Sequence, residues 1–287
     1  MIIPIVILTL IGISLGSFID VCAYRLPRNI PIGIRSFCPN CLRVLSWFEI
    51  VPLFSFVILR GKCRSCASRV SIRYPIIEVF IGGLLLFAFA LFGISETFLF
   101  SACYLILMSA VAAIDWQYLM IPNKLMVGGL IIGFALKVFS IGPDIQRLPF
   151  TPWTSLFTAM VCLLLAFCSM LLLLLVGNWL FKKPSLGMGD VKLAALVGFF
   201  LGFQNFLIAL WLAAIVGCFY AIFFKSNRKP LLNLRSEMEN RKSKMDHASN
   251  AGPLLPFGSF LAVSSSFVLL FSEPINALLG SWLTLMQ

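Results

Sequence analysis

Eight apolar stretches, each long or nearly long enough to cross a bilayer, constrain the fold of this 287-residue chain more than any other feature. They run approximately over 3–24, 76–93, 98–114, 125–141, 154–181, 190–203, 206–224 and 254–272. A spanning helix needs about 20 apolar residues. Helices suit this setting because hydrocarbon offers the backbone no water, and a helix satisfies its own N–H and C=O groups. Composition agrees, with 60% of residues hydrophobic and 11% charged, against roughly 25% charged in a soluble domain. The expected fold class is an all-α polytopic membrane protein with about eight transmembrane helices. Segment 190–203 is short for a span and is expected to be tilted, broken or thinned around. Residues 1–19 lack a basic n-region and run into a full apolar stretch, so no cleavable signal peptide is expected.

Charge sets the expected orientation. With the N-terminus outside, 20 of the 22 Lys and Arg residues fall on one side. Loop 25–75 holds nine and segment 225–253 seven, with Lys124, Lys182, Lys183 and Lys192 at shorter junctions and only Lys137 and Arg147 opposite. Positive charge marks the cytoplasmic side, which predicts an N-terminus on the opposite, external side. The net charge of +11 then follows from topology and attraction to anionic membrane lipid, and needs no nucleic-acid partner. The predicted organisation is a first span (1–24), a cytoplasmic loop (25–75) and a membrane domain (76–287). That domain contains a connector, 225–253, rich in Ser, Asn, Arg and Lys. The external loop 142–153 carries three prolines and no evident chemistry, and no internal repeat is evident.

Loop 25–75 contains Cys38-Pro39-Asn40-Cys41 and Cys63-Arg64-Ser65-Cys66. Two CxxC turns can place four thiolates tetrahedrally around Zn²⁺, and four cysteines leave no open position for catalysis. A reducing cytoplasm disfavours the disulfide alternative. The loop has few large apolar side chains, so a structural zinc would supply folding energy. Cys22, Cys103, Cys162, Cys168 and Cys218 lie in apolar stretches and read as small packed hydrophobes.

Two carboxylates stand out. Asp115 closes the third apolar segment, and Asp190 opens the sixth after Gly187-Met188-Gly189. An ionisable residue at membrane depth costs ~2.5–3.5 kcal/mol at a helix centre, and opposite helix directions bring both to the cytoplasmic side. Gly187 and Gly189 remove side-chain bulk before Asp190, permitting unusual backbone angles and close approach. Neighbouring carboxylates share a proton. One can take a proton from water while the other donates to a scissile carbonyl. The competing structural reading makes Asp190 a helix N-cap with Lys192 as counter-charge. Salt bridges at the membrane edge are expected for Asp20 beside Arg25 and for Glu78 after Arg73. His247, the only histidine, leaves no Cys/His, Ser/His or HExxH constellation.

Taken together, these residues resemble the prepilin peptidase family, the bifunctional leader peptidases/N-methyltransferases of type IV pilus and type II secretion systems. Gly16-Ser17-Phe18-Ile19-Asp20-Val21 with Arg25-Leu26-Pro27 is similar to the family's opening segment. The Cys38–Cys66 loop, with Ile50-Val51-Pro52-Leu53 and Arg60-Gly61-Lys62-Cys63, resembles its cytoplasmic domain, followed by Arg73-Tyr74-Pro75 and Glu78. Asp115 before Ile121-Pro122-Asn123 matches the first catalytic aspartate, and Gly187-Met188-Gly189-Asp190 the GxGD motif of the second. Pro256-Phe257-Gly258 resembles the closing motif. The chain departs from the pattern at Asp20, where the family commonly has Asn, at Ser259, where it has Pro, and at Asn123, where it frequently has Asp.

The resemblance implies an aspartic endopeptidase that cleaves prepilins and pseudopilins after a Gly at the cytoplasmic membrane face. It also implies methylation of the new N-terminal residue, usually Phe, from S-adenosylmethionine. No Rossmann-type glycine fingerprint marks a cofactor site. Glu49, Gly61 and Lys62 are the methyltransferase candidates, as loop residues that could orient cofactor or amine. The alternative from another class is a proton-coupled membrane transporter using Asp115 and Asp190 as a relay, although no related halves are visible. Presenilin-like GxGD proteases resemble the chain at Gly187–Asp190. Their first aspartate follows a tyrosine, however, whereas Ile114 precedes Asp115 here.

Overall fold

The structure is a computed structural model that describes residues 2–28, 30–139, 156–182, 186–224 and 256–285. The connector 225–253, the external loop 142–153, Lys183 and His247 lie outside the described residues. Ten helices lie among the described residues. They are α1 (Ile2–Arg25), α2 (Trp47–Ile50), α3 (Phe54–Ile58), α4 (Arg73–Phe92), α5 (Glu96–Tyr118), α6 (Asn123–Phe139), α7 (Leu156–Phe181), α8 (Met188–Leu201), α9 (Phe203–Phe224) and α10 (Phe257–Leu285).

A helix stands on every one of the eight apolar segments. Five are long and apolar enough to cross a membrane: Ile3–Arg25, Arg73–Phe92, Glu96–Tyr118, Leu156–Leu180 and Phe203–Phe223. The apolar part of α10, Phe257–Ser272, is shorter. The backbone leaves helical angles at Phe271 (φ −114, ψ 20). Glycine ends α4 and α8: Gly93 and Gly202 take positive φ and donate to Phe89 O and Gly198 O. With ψ of −159° and 164°, both adopt a positive-φ extended conformation open essentially to glycine alone.

The chain forms two compact units, Met1–Ala113 and Ile114–Gln287. In the first, α1 packs antiparallel against α4 at glycine contacts. A Cβ on Gly12 would fall 2.7 Å from Gly82 Cα, and one on Gly16 would fall 2.6 Å from Glu78 Cα. Gly12 and Gly16 thus form a GxxxG face, the spacing that lets two membrane helices approach to backbone contact. Ile19, Ile81, Leu85 and Ala88 fill the seam.

In the second unit α8 is surrounded by α6, α7, α9 and α10. Val191 and every residue from Leu193 to Leu201 are buried. A helix apolar all round belongs inside a bundle, which gives the short segment a physical reason: protein, rather than lipid, covers it. By contrast, Leu172, Leu175 and Val176 on α7 are left uncovered, as a lipid-facing surface requires.

Candidate active site and metal centre

Asp115 lies in the last turn of α5, which runs on to Tyr118. The helix then closes on Leu119, a non-glycine residue at φ +52 whose N–H donates to Asp115 O at 2.9 Å. The Asp115 carboxylate is 5% exposed. Its Oδ2 accepts two hydrogen bonds from Ser259, one from the backbone N–H at 2.6 Å and one from the hydroxyl at 2.9 Å. Gly258 makes this possible, since a Cβ there would sit 3.1 Å from Oδ2 and 2.9 Å from Ile121 Cδ1. Three rings flank the contact: Trp116 meets Tyr220 at 5.7 Å and Phe260 at 6.4 Å, and Tyr220 meets Phe260 at 5.4 Å. Side chains next to Asp115 and Ser259 therefore clamp α5, α9 and α10 together.

Asp190 is the third residue of α8, within electrostatic reach of Asp115. The N-cap is Gly187, not Asp190, and the Asp190 carboxylate accepts the Gly187 N–H at 3.3 Å. The expected counter-charge is absent: Lys192 Nζ donates instead to Asn123 Oδ1 at 2.9 Å. Neither Gly187 nor Gly189 adopts an unusual backbone angle, since positive φ is confined among the described glycines to Gly61, Gly93 and Gly202. Gly189 serves close approach, because a Cβ there would be 3.3 Å from Ile121 Cβ. Ile121 thus packs against both glycine motifs and draws them toward the aspartates. Ser259 and Gly258 were missed as site residues by the sequence reading, and only the position after Pro256-Phe257 hinted at them.

In the first unit the four cysteines converge, with Sγ atoms of Cys38, Cys41, Cys63 and Cys66 all within 4.8 Å of one another. The two CxxC turns repeat in backbone what they do not repeat in sequence. Cys38 N–H donates to Arg43 O and Leu42 N–H to Cys38 O; Cys63 N–H donates to Ser68 O and Ala67 N–H to Cys63 O, all at 2.9 Å. Leu42 and Ala67 share positive φ, and the flanks close with the bridges Phe37–Val44 and Lys62–Arg69.

The donor set fits a tetrahedral metal. A Zn–S distance of about 2.3 Å implies S···S edges of roughly 3.8 Å, and Cys38 Sγ lies 3.8 Å from Cys66 Sγ. As thiols the group is unequal. The Ser68 hydroxyl and backbone N–H pull Cys66 down to about 6, and the Cys41 N–H lowers Cys38. Cys41, although drawn down by the Arg43 N–H, is pushed up to about 11 by desolvation and its three sulfur neighbours. Four thiolates this close need a cation among them, so the cluster could hold a metal ion.

Glu49, Gly61 and Lys62 line one cavity of about 420 Å³ in the first unit, beside Asp20, Arg25 and Glu78. Glu49 is already engaged. It pairs with Arg43 and accepts the Ser46 N–H at 2.8 Å as the cap of α2. The Ser46 N–H and the Arg43 guanidinium hold its carboxyl below the usual range. The salt bridges expected for Asp20 and Glu78 do not form. The Arg25 guanidinium turns to the carbonyls of Ile32 and Ile34, at 2.6 and 2.8 Å. Those carbonyls lie in irregular chain and lack helical partners. One Glu78 oxygen accepts the Leu53 N–H at 2.7 Å, and Arg43–Glu49 is the only ion pair among the described residues.

Residues 10–92 match the model of the bacterial peptidase A24 N-terminal domain, and residues 102–222 match that of the type IV leader peptidase family. A prepilin leader peptidase/N-methyltransferase of Bacillus subtilis is 31% identical, over 75% of this chain and 80% of its own length. One from Klebsiella pneumoniae is 32% identical, over 69% and 85%. The chain belongs to the type IV leader peptidase family. A relative of the same name from Myxococcus xanthus, also 32% identical, is longer, and the match covers 62% of its length. No solved structure matches the chain. As a type IV leader peptidase family member with five membrane-length helices, it is a multi-pass membrane protein. The N-terminal match contains all four cysteines, and the leader-peptidase match contains Asp115 and Asp190. Gly258 and Ser259 lie outside both.

Proposed function

We propose that this protein removes the leader peptide of type IV prepilins or pseudopilins at the cytoplasmic membrane face, using Asp115 and Asp190 to activate water. The new N-terminal residue is then N-methylated. The family membership supports this reading, and the relatives carry both activities in their names. The observation that carries the mechanism is the double hydrogen bond from Ser259 to Asp115 Oδ2.

Two donors on one oxygen favour the ionised carboxylate. Asp115 is therefore the base, and Asp190, with one long hydrogen bond at 3.3 Å, is the proton donor. Asp115 takes a proton from water as the water oxygen bonds to the scissile carbonyl carbon. Asp190 gives its proton to the carbonyl oxygen. Collapse of the tetrahedral intermediate breaks the C–N bond: the departing amine takes the proton held by Asp115, and one hydroxyl of the intermediate returns its proton to Asp190, restoring the pair and leaving the carboxylic acid. Zinc bound by Cys38, Cys41, Cys63 and Cys66 is structural and contributes folding energy. S-adenosylmethionine, when bound, supplies the methyl group. The first unit's cavity is of a size that holds small organic molecules.

The test is cleavage of a prepilin by purified protein in detergent. Asp115→Asn and Asp190→Asn are each expected to lower kcat by roughly 10²–10⁴-fold. Asp190→Asn should retain the higher residual rate, because an amide still donates a hydrogen bond to the carbonyl. Full activity in either variant defeats the pair mechanism, and the reverse order of residual rates exchanges the roles. Mass spectrometry of the mature N-terminus, with and without S-adenosylmethionine, decides methylation separately.

A further inference from the structure

The scarcity of large apolar side chains expected of loop 25–75 does not extend to residues 47–59, which carry ten of them. Helix α3 is apolar on two faces. Phe56 and Leu59 line the cavity, and Phe56 packs on Gly61, where a Cβ would meet its ring at 3.1 Å. The opposite face carries Phe54, Val57 and Ile58 at helical spacing, all 60% exposed or more. On α2, Trp47 is 81% exposed. A soluble surface rarely gathers large apolar side chains in this way. A helix apolar all round needs protein or lipid on every side.

A hydrogen bond sets the height of this face. The Leu53 N–H, just before α3, donates to Glu78 Oε2 at 2.7 Å. Glu78 lies in the second turn of α4, a membrane-length helix, among Ile76, Val79 and Phe80, which are exposed as a lipid-facing surface requires. The start of α3 therefore stands beside that turn and not beyond the end of the helix.

The charge around the face is of one sign. Residues 25–75 hold nine Lys and Arg and a single acid, Glu49, which is buried and paired with Arg43. Arg60 follows Ile58 by two residues. Arg64 lies over the Phe48 ring at 5.4 Å, and that ring meets Trp47 at 5.8 Å. Arg60, Lys62, Arg64 and Arg69 are all exposed, with no carboxylate in ion-pair reach among the described residues.

We infer that α3, with Trp47, lies in the bilayer interface on the leaflet where α1 ends and α4 begins. Its apolar face enters the upper acyl chains, and the cations beside it meet anionic phospholipid headgroups. Tryptophan favours this boundary, and apolar area and basic charge bind such segments together. Five residues would hold a membrane weakly alone. Both ends of the loop, however, continue into membrane-length helices that keep them at the surface. A second copy of the chain is a poorer occupant, because it would set its own cations against these. Lipid on the outer face of α3 then supports the cavity wall that Phe56 and Leu59 form on the inner one. The inference rests on membrane placement and stands apart from both proposed activities.

The test uses full-length protein in vesicles of equal parts phosphatidylcholine and phosphatidylglycerol. The photo-crosslinking residue benzoylphenylalanine replaces Val57 or, as the lipid-facing standard, Val79. Phospholipid adducts at Val57 are expected within about threefold of those at Val79. Phosphatidylglycerol adducts at Val57 should exceed phosphatidylcholine adducts about threefold. Lipid adducts more than about tenfold below the standard, or adducts to a second copy or to an added prepilin in place of lipid, would overturn the inference. Equal yields of the two lipids would overturn the assignment to anionic headgroups. If a photo-residue spoils folding, Trp47 decides without it. Its emission, taken as the difference between wild type and Trp47→Phe, should be quenched by phospholipid brominated at the shallow end of the acyl chains and spared by aqueous acrylamide. The reverse pattern would place this face in water and overturn the inference.

Discussion

The cysteine cluster of the first unit and the aspartate pair of the second both gather groups that repel one another when ionised, and they stabilise them by different means. The cysteines sit on two short turns whose hydrogen bonds are local, each closing within five residues. Little apolar core surrounds them, and a bound cation would supply the cohesion. The aspartates depend on packing instead. Asp115 takes its two donors from a residue 144 positions away, delivered by α10 over Gly258 and held by three aromatic rings. A site built from local turns with a metal should fail when the metal leaves. A site built from helix packing should fail by degrees as its contacts are spoiled.

The largest effect should come from the metal side. Cys63→Ser, or a strong chelator, is expected to release zinc and unfold the cysteine loop. Apparent binding energies for structural zinc are on the order of 10 kcal/mol. Metal analysis and protease sensitivity of the loop would show it, with methylation abolished and leader cleavage retained within about threefold. Equal loss of both activities would mean that the two regions stand or fall together.

On the packing side, Gly258→Ala should displace the Ser259 N–H from Asp115 and lower kcat by roughly 10²-fold without changing zinc content. Ser259→Ala is milder, because the backbone donor stays. Loss of the hydroxyl alone, worth about 1 kcal/mol, should reduce kcat about fivefold at unchanged KM.

The smallest effect concerns Glu49. Its carboxyl is held below the usual range, first by the Ser46 N–H and also by Arg43. The stability this gives is fully present above its unfolded value near 4.5 and is lost as pH falls through the lowered folded value. Glu49→Gln should therefore destabilise the loop by about 0.5 kcal/mol at pH 7. Thermal melts should converge with wild type in acid, and a difference that persisted there would point to packing rather than charge.

The same contrast explains what could be read from the sequence. The CxxC pair was legible because its geometry is local, and the aspartates were legible because carboxylates are costly in apolar stretches. The backbone repeat of the two turns was not, since Leu42 and Ala67 do not advertise the left-handed conformation they adopt. Ser259 was visible only as a departure from a motif, because its partner is distant in sequence. Hydropathy located α8 but could not tell that its neighbours are helices. The salt bridges expected for Asp20 and Glu78 failed because adjacency in sequence says nothing about competing carbonyl acceptors.

The all-round burial of α8 has a consequence for how such a protease can vary. From Leu193 onward the helix has no free side, while Met188, at its beginning, is 53% exposed. A substrate can meet this helix only at its tip. Changes farther along would alter how firmly Asp190 is mounted without touching the exposed tip. Under the proposed function, preference for one leader over another would then be written in the first turn of α8.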